Sequence, residues 1–195
     1  MKLFRSKKYE SLNELVIGCQ KLEASAQTEF YKKYKTKLMG VCIRYAKTQA
    51  EGEDIFQEAF IKVFKKITEV REIESIDRWV KSIVINTAIN YYNRTTRQQL
   101  LHVNLDNADQ NFYSEEYESL IDKLDIEVVL NIISQLPDGY RMIVNLHLID
   151  GFTHAEIAEM LSIADGTARS QYHRARNILM KKLQEIGISR YEIPG

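Results

Sequence analysis

Apolar residues return every three or four positions along most of this chain, the spacing of helices that each bury one side. Between Glu51 and Thr68, Phe56, Phe60, Val63 and Ile67 make one stripe flanked by Ile55 and Ala59, while Asp54, Gln57, Glu58, Ile61 and Lys65 lie opposite. Between Asp165 and Glu185 the stripe is Ala168, Tyr172, Ala175, Leu179 and Leu183, and Arg169, Ser170, His173, Arg174, Arg176 and Asn177 fall off it. The same reading predicts helices over Ser11–Lys21, Ala26–Thr48, Ile76–Thr95, Ile126–Leu136, Tyr140–Ile149 and Thr153–Leu161. Pro137-Asp138-Gly139 and Gly151 break the later ones apart. From Arg97 to Lys123 the period lapses into Gln, Asn, Asp and Glu, which bury too little apolar surface to offset the entropy of ordering. The expected fold is all-α: two small helical domains joined by an acidic flexible linker.

Composition supports this. Two prolines and eight glycines in 195 residues are too few for the closely spaced turns of a sandwich or barrel. No apolar run approaches a membrane span, and Met1–Arg5 lacks a secretory core, so a cytoplasmic protein is expected. Cys19 and Cys42 stand alone and read as small buried hydrophobes. Net charge is zero, which conceals an uneven distribution. Lys32, Lys33, Lys35, Lys37, Arg44 and Lys47 form one basic block and Arg169 to Lys182 another, while Asp106 to Glu127 is acidic apart from Lys123.

Two features carry candidate chemistry. Thr153 with Glu156 is a capping-box start, and the short helix it opens is followed after a few residues by the basic helix from Asp165. That order predicts a helix-turn-helix, whose second helix enters the DNA major groove. The polar face at Asp54 and Glu58 has a plain reading as a solvated surface. With Glu51 it also suggests a helical metal-dependent nucleotide hydrolase, for which Glu72, Glu74 and Asp77 are the nearest further carboxylates, without repeating the spacing. A stand-alone helix-turn-helix regulator is the other alternative, and it leaves that face without a purpose.

Three runs in order narrow the choice: Asp54 to Phe64 with Gln57, Glu58 and Phe60; Trp79 to Tyr91 with Asn86, Thr87, Ala88 and Asn90; and Leu136-Pro137 followed by Gly166 to Arg176. Together they resemble bacterial RNA polymerase sigma factors of the sigma-70 family. Within it they resemble the extracytoplasmic-function group, which keeps only the second and fourth conserved regions.

The resemblance implies an N-terminal helix within residues 1–25, region two over 26–97, the linker over 98–124 and region four over 125–195. It implies that Asp54, Gln57, Glu58 and Ile61 dock on the clamp helices of the polymerase β′ subunit. Asn86, Asn90, Tyr91, Asn93, Arg94 and Arg97 would recognise the minus-ten element. Asp165, Gly166, Thr167, Arg169, Ser170, His173 and Arg174 would recognise the minus-thirty-five element. The implied partners are core RNA polymerase, through the β′ clamp helices and the β flap, promoter DNA and an anti-sigma factor. No catalytic residue, metal, cofactor or small-molecule substrate is implied. A holoenzyme subunit needs no basic excess of its own, which accommodates the zero net charge.

Several residue-level expectations follow. Trp79, Ile83 and Ala88 belong to the core, and one of Tyr91 and Tyr92 turns inward. The segment from Thr68 to Ser75 corresponds to the family's pocket for a flipped base. Ser162 and Ala164 replace the family's usual Gly and Ser, so Asp165 is expected to take over as N-cap of the basic helix.

Overall fold

The computed structural model describes residues 9–95 and 126–186, with side chains described for 9–94 and 128–186. The linker over 98–124 and Arg97 lie outside the described residues, as do the side chains of Ile126 and Glu127. Among the described residues all regular structure is helical. The chain divides into two compact units, residues 1–91 and 92–195.

In the first unit α1 (Leu12–Gln20) and α2 (Ala24–Tyr45) form a hairpin, α3 (Gln49–Lys66) returns along α2, and two 3₁₀ turns (Ile67–Glu69, Ile73–Ser75) lead into α4 (Ile76–Thr95). Ser11 caps α1 by accepting from the Glu14 amide, and Thr48 caps α3 by accepting from the Glu51 amide. Glu51 reaches back to the Lys47 amide at 2.8 Å. The predicted α3 stripe is buried: Phe56, Phe60, Val63 and Ile67, with Ile55 and Ala59 beside them. Phe56 and Phe60 are in tilted contact with centroids 4.6 Å apart, and Tyr31 of α2 meets both edge-on. Each such pair adds about 0.5–1.5 kcal/mol beyond its area.

Close approach of α1 and α2 depends on Gly18, where an added Cβ would lie 2.7 Å from the Cβ of Ala26. Cys19 and Cys42 are buried thiols in this core, as expected. Burial pushes them up to about 11 and about 12 respectively, which leaves them protonated and unreactive at neutral pH.

In the second unit α5 (Ile126–Ser134) and α6 (Asp138–Val144) meet at the Pro137 turn, followed by α7 (His154–Leu161) and α8 (Asp165–Glu185). Val129, Ile132, Ile133, Leu136 and Val144 pack with Ala175, Leu179 and Leu183 of α8. The turn is anchored by Arg141, a buried cation whose Nη1 donates to the Leu136 carbonyl at 3.2 Å and whose Nη2 pairs with Asp138 at 2.8 Å. The predicted helix over Tyr140–Ile149 is not uniform, because Asn145–Ile149 is a π turn that closes with Asp150 N–H donating to the Asn145 carbonyl at 2.9 Å. Polar spacing does not reveal such a turn, since it changes the twist by one residue without changing the composition.

The capping box at Thr153 is formed in full, with Thr153 Oγ1 accepting from Glu156 N–H and Glu156 accepting from Thr153 N–H. These bonds hold the Glu156 carboxyl below the usual carboxylate range. Thr153→Ala is expected to cost about 1 kcal/mol. Thermal unfolding should register it as a fall in Tm of roughly 4–8 °C if the unit melts as a small domain.

Candidate nucleic-acid interface

The joint between α7 and α8 is tight. Ser162 ends α7 at φ +53°, a left-handed position where glycine is less strained, and Ile163 N–H donates to the Ala158 carbonyl at 2.9 Å. The N-cap expectation is corrected here: α8 begins at Asp165, with Ala164 in the N-cap position and no side-chain cap. Ala164 is already extended there, so Asp165 falls one residue too late to cap. Its carboxylate instead pairs with Arg169, Oδ2 to Nη2 at 2.9 Å. The two side chains are 44% and 62% exposed, so this pair is worth at most about 1 kcal/mol.

The face of α8 turned from its core carries exposed Gly166, Arg169 and Ser170, with Asp165, Thr167, His173 and Arg174 partly exposed beside them. Ala168, Tyr172, Ala175, Leu179 and Leu183 are buried, as the period predicts. Arg176 departs from expectation. Its place off the apolar stripe predicts an exposed cation, but only 8% of it is exposed, beside the fully buried Ala175. The wheel places position 176 at the border of the stripe, and packing brings it inside.

On α4, Asn86 and Asn90 are exposed, Asn93 and Tyr91 are partly exposed, and Arg94 is exposed at the end. Tyr92 is the tyrosine that turns inward, and burial raises its hydroxyl to about 12. Ala88 is in the core as expected, whereas Trp79 and Ile83 are only half-buried, which corrects their assignment to it. Residues 79, 83, 86, 90 and 93 follow one another at steps of four and three, so the indole shares a stripe with the asparagines. The sequence carried this signal in the spacing, but a tryptophan is usually assigned to a core. Residues 68–75 run through the two 3₁₀ turns, linked to α1 by the Gln20 amide, which donates to the Ile67 and Val70 carbonyls at 3.1 and 2.9 Å.

On α3, Asp54, Gln57 and Ile61 are exposed, Ile61 to 56%. Glu58 is not an open carboxylate: it is half-buried and pairs with Lys62 at 2.7 Å, and Lys62 also donates to Thr87 of α4 at 3.3 Å. The hydrolase alternative loses its donors at this point. Glu51 is turned to the helix start, Glu58 to Lys62 and Asp77 to the Tyr34 hydroxyl, so these carboxylates do not converge. Among the described residues no group of three His, Cys, Asp or Glu side chains is placed to hold a metal ion. No described helix is long and apolar enough to cross a membrane.

A helix-turn-helix in one unit and a polar-striped helix in the other, all regular structure among the described residues being helical, is an architecture that suits a DNA-reading protein. Residues 30–98 match the sigma-70 region 2 model and residues 126–179 the sigma-70 region 4 model. The RNA polymerase sigma-H factor of Pseudomonas aeruginosa is 28% identical over 91% of this chain and 96% of its own length. The ECF sigma-E factor of Haemophilus influenzae is 28% identical over 88% and 95%, and the Bacillus subtilis ECF factor SigW 29% over 78% and 86%. Among solved structures, the sigma factor RpoE of Bartonella quintana, in complex with the anti-sigma factor NepR, has a TM-score of 0.47 at 19% identity, covering 80% of this chain and 97% of that one. CnrH, in complex with the cytosolic domain of CnrY, has a TM-score of 0.46 at 15% identity, covering 88% and 96%. The chain belongs to the sigma-70 family of bacterial RNA polymerase sigma factors, in the extracytoplasmic-function group. As such it binds core RNA polymerase and directs promoter-specific initiation of transcription. Its family is not one of enzymes.

Proposed function

We propose a division of labour among the exposed faces of α3, α4 and α8. The face of α3 carrying Asp54, Gln57 and Ile61, with Glu58 at its margin, docks on the β′ clamp helices. An exposed isoleucine beside a carboxylate and an amide fits a partner helix that brings both apolar and basic groups. The stripe of α4 reads the single-stranded minus-ten element: Asn86, Asn90 and Asn93 meet base edges, Trp79 and Tyr91 supply stacking surfaces, and Arg94 and Arg97 meet the backbone. The outer face of α8 reads the minus-thirty-five element. The first-turn amides by Gly166 and Thr167, with the Arg169 guanidinium that Asp165 holds beside them, engage phosphate, and Ser170, His173 and Arg174 reach the groove.

The observation that carries this reading is the coincidence of solvent-accessible polar side chains with the outward stripes of α4 and α8. The domain limits 26–97 and 125–195, an acidic linker over 98–124, contact with the β flap, an anti-sigma partner and a cytoplasmic location belong to the same proposal. The purified chain is expected to bind duplex promoter DNA weakly, since zero net charge provides little counterion release, while its complex with core polymerase binds tightly. Gel-shift titrations with and without core, over a range of salt, check this. Tight site-specific binding by the chain alone would favour the stand-alone regulator.

A further inference from the structure

Three histidines and a tyrosine meet where α7 joins α8. His154, the first residue of α7, lies against His147 of the π turn with ring centroids 4.2 Å apart and planes 22° from parallel. Tyr172 of α8 stands edge-on to His147 at 4.4 Å and tilted to His154 at 5.2 Å, and His173 lies next to Tyr172 at 6.1 Å. The π turn matters here, because its extra residue brings His147 to this place and Phe152 folds back to accept from His147 Nδ1–H at 2.7 Å. A π turn gives up regular helix geometry and is often retained where a side chain must be re-aimed. His147 is therefore fixed by a backbone bond, whereas His154 is wedged, with a buried Nδ1 that has no hydrogen-bond partner.

We propose that the His147–His154–Tyr172 stack seats the first half of α8 only while His154 is uncharged, so that recognition of the upstream promoter element weakens in acid. The proposal rests on the reading of α8 as the minus-thirty-five helix. The groups around His154 give the direction. Burial comes first in lowering its pKa from 6.5, followed by His147 of the π turn, then Arg169 and His173 of α8, with Asp165 of α8 acting weakly the other way. On its own helix Glu156 is committed to Thr153, and Asp165 is already engaged by Arg169. A charged His154 would thus be a partly buried imidazolium with no acceptor for its Nδ1–H, facing Arg169 and His173 on the helix it supports.

Because the folded state holds the proton less well than the unfolded chain, this contribution to stability is complete above about pH 6.5 and is lost as the pH falls below it. His154 acts as a positioning residue, and Arg169 and Ser170, on the outer face of the same turns as Tyr172, are what it positions.

The test has two arms on the full chain. In the first, histidine ring and backbone amide NMR signals are followed from pH 8 to 5 without DNA, and assigned with His154→Gln and His147→Gln. The amides of α8 near Tyr172 are expected to shift in step with a His154 that titrates below 6.5, and to stop doing so in His154→Gln. In the second, holoenzyme affinity is measured on promoters with intact or mutated minus-thirty-five elements at pH 7.5 and 5.5. The part of the affinity that depends on that element is expected to fall roughly fivefold or more in the wild type, the lower end of coupling between sites, and to be pH-insensitive in His154→Gln. Identical pH profiles for wild type and His154→Gln, or an α8 indifferent to His154, overturn the proposal. His147→Gln, which keeps His154 but removes its stacking partner, provides the same reading should His154→Gln fold poorly. If α8 titrates with His154 but mutation of the minus-thirty-five element changes nothing at either pH, the assignment of α8 as its reader fails instead.

Discussion

Asp54→Lys combined with Ile61→Asp is expected to weaken binding to core RNA polymerase by at least a hundredfold while leaving the fold intact. Both side chains are exposed on α3, away from the buried Phe56–Phe60 stripe. Substitutions at such positions usually change stability by no more than about 0.5 kcal/mol. Central interface positions cost about 2 kcal/mol or more each when lost, and two of them with a reversed charge exceed a hundredfold in affinity. Glu58→Lys is a less clean probe, because it also breaks the pair with Lys62 that leads to Thr87, and lysine would then face lysine. It should reduce core binding too, with a loss of about 0–1 kcal/mol in stability. Fluorescence titration of core with each variant, alongside thermal unfolding, separates the two effects. Undiminished affinity in the double variant would return this face to a merely solvated surface.

Arg174→Ala and Asn90→Ala should fail in different ways. Loss of a bidentate base contact by Arg174 costs about 1–3 kcal/mol and removes the advantage of an intact minus-thirty-five element. Loss of a phosphate contact would instead weaken binding across all sequences and lower the salt slope. Asn90 projects from α4, so its loss should act at the minus-ten element and matter less on a template whose bubble is already open. Transcription by reconstituted holoenzyme from duplex and pre-melted promoters, each element mutated in turn, distinguishes them. The same deficit for both variants on every template would end the assignment of separate tasks to α4 and α8.

Most of the helical framework was legible because burial on one side of a helix writes a period of three and four into the chain. The α3 and α8 stripes, the Thr153 capping box and the break at Pro137 are local patterns of this kind, and their residues have little freedom to mean anything else. The departures have two causes. Arg176 occupies a border position of its helix, where the wheel alone does not say which neighbour covers it, whereas Trp79 and Ile83 stand in line with the α4 asparagines and only their residue types suggest a core. Arg176 is enclosed in the second unit, and Trp79 and Ile83 are left half-open on the side of Asn86 and Asn90.

The start of α8 shows the same limit. Asp165 is a good capping residue by type, yet the turn after Ser162 places Ala164 at the cap and turns Asp165 toward Arg169. The residue types open to each face were set by the sequence itself: carboxylate, amide and isoleucine on α3, asparagines on α4, cations on α8. Only the tertiary structure decided which of them are engaged. The pairing of Glu58 with Lys62 depends on two side chains one turn apart adopting compatible rotamers against α4. The meeting of His147, His154 and Tyr172 depends on a π turn and a tight joint between separate helices. Periodicity records which side of a helix is buried, whereas contacts between helices depend on packing geometry that no single helix encodes.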